Sequence, residues 1–448
     1  ALPPLMKALE QHVRLRQAAD ADQLAARVTE IVDQIGWSDP RRELEWLALE
    51  GRVHTACGRL ERAEASIRAA FELAEQLDDV RSKASSLVQL SEIAFRRGQF
   101  EQVCELAQQA RVLARAPELE RIQADAVQNL ATAFRRLGDR DRARELWEEN
   151  RRRYVAWSDR SGEARATNNL GILHYEENRL DEAERCFRIT ESIGCELDNL
   201  DFQTHARVWL SNVAFKRGDL EAARSGYIDA VSAFQKVQNR RALSRCYYNL
   251  SEVEALLGNL DAARPAAERA AALCAEMSDR AAEAEYRLSR AGIEWLAGED
   301  DCARCELRDA REVSPAIAAP IRRRAFEARA ALLEDLLGDS QPLVQLAAQL
   351  ELGQTTELEI QLLEATVRMR AKHYEGHSLS AEAGEEARDL IRRAGPDTLT
   401  ESVGLATTLQ LFAEAASDSI EELLGFSPSE SPAAAWIELA LPKLTTTP

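Results

Sequence analysis

Proline and glycine are scarce in this chain of 448 residues, at thirteen and twenty copies, and aromatic residues make up only 6%. Both breakers fall below ordinary usage. Ala, Leu, Glu and Arg crowd the remaining sequence, which favours helix almost everywhere. No run of about 18 uncharged apolar residues exists, so no membrane-spanning helix is expected. Basic charge is short as well, with 57 Lys and Arg against 76 Asp and Glu and a net charge of −19. That balance argues against nucleic acid, whose binding needs a basic stripe. The eight cysteines (57, 104, 186, 195, 246, 274, 302 and 305) are spread through helical sequence. They read as reduced, half-buried small hydrophobes in a cytoplasmic protein, not as a disulfide framework. The segment Ala1-Leu2-Pro3-Pro4-Leu5-Met6-Lys7 has no apolar h-region, so no signal peptide is expected. The first residue is not Met, which suits a processed chain or part of a longer one.

At about 150 residues per domain, the length suggests three globules. The internal repeat overrides that division. Gly58, Gly98, Gly138, Gly218, Gly258, Gly298 and Gly338 fall on one 40-residue grid, with Asn178 at the missing node. Five residues after the nodes stand Ala63, Val103, Ala143, Ala183, Ala223, Ala263 and Ala303. Seven residues before them is always a small residue: Gly51, Ser91, Ala131, Gly171, Ser211, Ser251, Ala291 and Ala331. A glycine at each node ends one helix and reverses the chain at positive φ. The small residues let two antiparallel helices approach. A second breaker recurs midway, as Asp78-Asp79, Ser158-Asp159, Asp198-Asn199, Gln238-Asn239 and Ser278-Asp279. Such side chains favour turns and N-caps. The unit is helix, tight turn, helix, tight turn.

Asn129-Leu130-Ala131 with Gly138 and Ala143, and Asn169-Leu170-Gly171 with Asn178, Leu180 and Ala183, resemble the core pattern of the tetratricopeptide repeat family. The 40-residue period departs from the commoner 34. It is similar to the longer repeats of bacterial signalling proteins, among them MalT-type sensor arms and peptide-pheromone receptors. The resemblance implies an all-α, right-handed α-solenoid of about ten antiparallel helix pairs. The expected divisions are a degenerate N-terminal cap over 1–42, a regular array over 43–350, divergent repeats over 351–425 and a Ser/Pro linker with an apolar tail over 426–448. Residues 7–36 read as one helix pair with Asp20 and Asp22 near its turn. Pro265 is expected to kink or irregularise the first turns of its helix.

No catalytic constellation is evident, and neither a cofactor nor a metal is expected. Cys302-x-x-Cys305 is one pair without a second, and reads as two small core residues. His373 and His377 lack the H-E-x-x-H arrangement of zinc hydrolases. His54 and His174 share a repeat position and read as packing residues. An enzyme is therefore not expected.

The resemblance directs attention to the first helix of each repeat, which lines the concave side in such arrays. Nine residues before the nodes stand Gln89, Asn129, Asn169, Trp209 and Asn249, and ten before stand Gln128, Asn168 and Tyr248. The strip also carries Asn212 and the basic residues Arg96, Arg136, Arg165, Lys216 and Arg245, against Glu92, Asp125 and Glu176. It is amide-rich and relatively basic within an acidic chain. Asparagine is a poor helix former, so its recurrence at one helical position asks for a reason. In related arrays such asparagines pair with the backbone of an extended peptide, and the resemblance carries that role to Asn129, Asn169 and Asn249. The leading expectation is a non-enzymatic module that binds a protein or peptide segment, an acidic one by the charge of the strip. Two alternatives stand beside it: a sensor arm whose partner is another domain of the same polypeptide, and a structural scaffold that oligomerises.

Overall fold

The computed structural model describes residues 5–9, 18–35, 37, 39–237, 239–317, 320–349 and 367. Among them there is no strand. The chain divides into two compact units, Ala1–Glu177 and Asn178–Pro448. The first contains α1 (Ala18–Ile35), α2 (Pro40–Ala56), α3 (Leu60–Gln76), α4 (Val80–Arg96), α5 (Phe100–Leu113), α6 (Glu120–Arg136), α7 (Arg140–Ala156) and α8 (Arg160–Glu176). The second contains α9 (Leu180–Glu196), α10 (Leu200–Lys216), α11 (Leu220–Lys236), α12 (Arg240–Leu256), α13 (Leu260–Glu276), α14 (Arg280–Ala297), α15 (Asp300–Val313), α16 (Pro320–Leu336) and α17 (Gln341–Gln349).

Within each unit every helix packs on the next. The first helices of successive pairs also meet, α2 with α4 and α4 with α6 in the first unit, α12 with α14 and α14 with α16 in the second. This is an α-solenoid, in which contacts run from neighbour to neighbour. The seam follows the repeat. All seven residues placed five after a node, Ala63 through Ala303, have no exposed surface. Ile67 of α3 lies against Leu90 and Ile93 of α4, and Tyr227, Phe234, Leu243 and Leu273 form an equivalent cluster in the second unit. Each such aliphatic or aromatic side chain contributes about 1.5–3 kcal/mol by burial.

The two turns use different chemistry. At the nodes the seven glycines have φ between 75° and 93°. A Cβ at Gly98 or Gly138 would touch nothing, so glycine is needed there for its backbone and not for space. At the midway turns Asp78, Ser158, Asp198 and Ser278 take φ of 49–56°. The next residue caps the following helix: Asp79, Asp159, Asn199 and Asp279 each accept a backbone N–H from the first turn. Two midway turns lack that pair. There α5 and α15 stop at 14 residues, and short 3₁₀ turns at Pro117–Leu119 and Ser314–Ala316 make the connection.

Three expectations are corrected. Asp20 and Asp22 lie inside α1 and not at a turn, and the Asp22 carboxylate instead holds Arg59 in an ion pair. Cys302 and Cys305 are exposed, because α15 buries Ala303, Leu307 and Ala310. Cys195 is exposed too, whereas burial pushes the thiols of Cys246 and Cys274 up to about 12 and about 11. α13 runs unbroken through Pro265 and keeps the 17-residue length of its neighbours, since the proline falls in its second turn and removes a single early hydrogen bond. No helix among the described residues is long and apolar enough to cross a membrane. His373, His377, the divergent repeats assigned to 351–425 (Val367 apart) and the tail with Trp436, Ile437, Leu439 and Leu441 lie outside the described residues.

Candidate binding site

In the first unit the strip is carried by α4, α6 and α8. Asn129 stands half-buried on α6, and its Nδ2 donates to Ser91 Oγ at 2.8 Å and to the Val88 carbonyl at 3.3 Å. Both acceptors belong to α4 of the preceding repeat. Asn169, one repeat on, makes no side-chain hydrogen bond among the described residues. Its sequence neighbour Asn168 has a buried Oδ1 with no partner. Gln128, at the same repeat position as Asn168, and Gln89 on α4 likewise have buried, unpartnered Oε1 atoms. A buried acceptor left unpaired costs about 1–3 kcal/mol. The three form a row on successive first helices, Gln89 one position further along than the other two, and their oxygens are covered by surrounding protein until the amides turn outward.

The charges beside this row are partly spent. Arg96 donates to the Thr55 carbonyl at 3.1 Å and to Glu92 at 3.0 Å, and Arg135 pairs with Glu176. Of the three acidic residues on the strip, this leaves Asp125, with Arg165 and Arg121 the cations acting on it; Arg136 and Arg165 are exposed. The Asp125 carboxyl stays accessible, but surrounding protein displaces enough of its hydration to raise its pKa above the usual value; Arg165 opposes that shift. Arg165 also lies 5.9 Å from the ring of Tyr154. The phenol of Tyr154 is pushed up to about 12, chiefly by burial.

The second unit is more aromatic. Trp209 on α10 stacks on Phe187 with centroids 5.5 Å apart, and Tyr248 on α12 stacks on Tyr286 of α14 at 4.4 Å. Asn249 Nδ2 donates to Asn212 Oδ1 at 3.2 Å, and the same oxygen accepts the Tyr227 hydroxyl at 2.6 Å. Ser289, one repeat further, donates to Glu252 at 3.0 Å. Asn129, Asn249 and Ser289 therefore form rungs that tie one repeat to the one before. Lys216 ends α10 half-buried, and Arg245 is exposed on α12. Tyr286, Tyr227 and Ser289 escaped the sequence reading. Ser289 is found by extending the same spacing one repeat beyond Asn249, whereas Tyr286 stands twelve residues before its node and falls outside that spacing.

Among the described residues no group of three or more His, Cys, Asp or Glu is placed to hold a metal. The tetratricopeptide repeat family model matches residues 123–188 and 204–276. These two segments carry tetratricopeptide repeats. They include α6, α10 and α12, which bear Asn129, Trp209 and Asn249. No protein of curated function matches the sequence. Among solved structures, the apo quorum sensor NprR from B. thuringiensis is 12% identical; the match covers 69% of this chain and 86% of that one, with a TM-score of 0.55. A signal-transduction ATPase with a tetratricopeptide repeat sensor from Pyrococcus horikoshii is 13% identical, over 78% of this chain and 53% of that one, with a TM-score of 0.54. At these identities the likeness is one of fold.

Proposed function

We propose that this array is a non-enzymatic binding module, and that the first helices of its repeats hold an extended peptide or unstructured segment of acidic character. The observation that carries this reading is the row of buried, unpartnered amide oxygens at Gln89, Gln128 and Asn168. An extended backbone presents N–H groups that would satisfy such acceptors, without regard to sequence, once the amides turn towards the groove. Arg136 and Arg165 beside the row would supply preference for acidic side chains, and Asn169 has donors and an acceptor to spare. In the second unit, Trp209, Tyr248, Asn249, Asn212, Lys216 and Arg245 offer stacked rings, amides and bases to the same class of partner. The sensor arm of a larger regulator is the second reading. It is favoured by the fold shared with the sensor-bearing archaeal ATPase, and in it the bound segment belongs to the same polypeptide.

Selection from a random peptide library on the full chain tests the proposal. Selected peptides should be enriched in Asp and Glu. Gln128→Ala and Asn168→Ala should each weaken their binding about 5- to 150-fold, the cost of leaving a hydrogen-bonding group unpaired. Equal binding by the double variant, or a selection without acidic bias, would sink this assignment.

A further inference from the structure

On a different face of α10 from the one bearing Trp209, Asn212 and Lys216, a cleft opens between α9 and α11. Leu210 and Val213 form its floor, with Glu184 and Arg188 on one wall and Ala222 and Gly226 on the other; its volume is about 510 Å³. That lies within the range of roughly 300–1,000 Å³ typical of ligand sites. Three repeats earlier, in the first unit, the same positions enclose only about 10 Å³. The ionic frame is common to both. Glu184 accepts Arg188 and Arg217 at 2.6 Å each, as Glu64 accepts Arg68 at 2.8 Å and Arg97.

The filling differs. Leu106 and Gln102 occupy the first cleft, where Gly226 and Ala222 stand in the second. A Cβ at Gly226 would come within 2.0 Å of Ser211 Oγ, so a side chain there would require that hydroxyl to turn away. The aliphatic group that closes the first cleft is absent here. The cations at the rim are committed: Arg188 to Glu184, Arg217 to Glu184 and Asp181, Arg207 to Glu191. Asp229 is exposed and makes neither a hydrogen bond nor an ion pair among the described residues. The unspent charge at the rim is negative.

We propose that this cleft docks a segment of a partner protein that presents a leucine-sized aliphatic side chain beside a lysine or arginine. The aliphatic group takes the space that Leu106 fills in the first unit, and the base faces Asp229. This site is independent of the amide row and selects the opposite charge.

The test uses the full chain with ¹³C-labelled leucine and valine methyls and the probe acetyl-Lys-Leu-Leu-Lys-amide. The Leu210 and Val213 methyls should shift saturably. The probe should bind about two- to tenfold more tightly than acetyl-Glu-Leu-Leu-Glu-amide, as expected for one exposed charge pair. Asp229→Lys should reverse that preference. Ala222→Trp, at an exposed position, should abolish the shifts while the Leu90 and Leu106 methyls report an intact first unit. Absence of saturation with both probes, or equal binding of acetyl-Lys-Ser-Ser-Lys-amide, would overturn the proposal. So would Leu210 and Val213 shifts that follow protein concentration alone, which would make the occupant a second copy. Shifts caused by deleting residues 427–448 would make it the chain's own tail, and would overturn it equally.

Discussion

Two asparagines on α6 and α8 that look alike in the sequence have different work to do. Asn129 donates to Ser91 and to the Val88 carbonyl, so it binds α6 to α4. Asn168 keeps a buried oxygen unpaired. Asn129→Ala should therefore lower stability to urea by about 1 kcal/mol, even though alanine is the better helix former. Asn168→Ala should leave stability unchanged or raise it, while weakening peptide capture. Equal stability effects at the two positions would remove the distinction. Asp125 gives a second residue-scale prediction. Its folded pKa is raised, so its protonated form favours the fold, and this contribution is lost as pH rises through the folded pKa. At pH 7 the ionised group opposes folding. Asp125→Asn should thus raise the melting temperature at pH 7, with the gain shrinking as pH falls through the folded pKa and gone below about pH 4, and should strengthen binding of acidic peptides.

At the scale of helices, the carboxylates of Glu64 and Glu184 each clamp an arginine of their own helix and one from the next repeat. Arg97, then Arg68, holds Glu64 below the usual carboxylate range, and Arg217, then Arg188, does so for Glu184. A depressed folded pKa gives stability that is present above the unfolded value and lost as pH falls through the folded one. Glu64→Gln and Glu184→Gln should each cost on the order of 1 kcal/mol at pH 7. The gap from the parent should close below about pH 4, as followed by chemical unfolding. A gap that persists in acid would assign the effect to packing. Much of this scale was legible beforehand. Breakers every twenty residues gave the helix boundaries, and Asp79, Asp159 and Asp279 cap as their residue type suggests. The 3₁₀ turns at Pro117 and Pro315 were not legible, because there the midway breaker is a proline set before the expected turn.

For the whole chain, neighbour-to-neighbour packing implies that damage stays local. Ala131 is fully buried on α6, and Ala131→Asp places an unpaired charge there at a cost of several kcal/mol. Hydrogen exchange should show lost protection in α4–α7, with α12–α14 in the second unit nearly unchanged; uniform loss along the chain would contradict the solenoid reading. What the sequence determined by itself is the grid: node glycines, buried alanines, helix lengths and the strip of amides and bases are local or periodic properties, set by backbone preference and by the spacing that keeps one helix face towards its neighbour. The tertiary structure alone decided how each polar group is spent. Whether Asn129 bonds Ser91 or stays open, and whether Gly226 leaves a cleft where Leu106 closes one, depend on atoms about forty residues apart in sequence. A hydrogen bond is made or lost within a few tenths of an ångström, and no repeat pattern fixes positions to that precision.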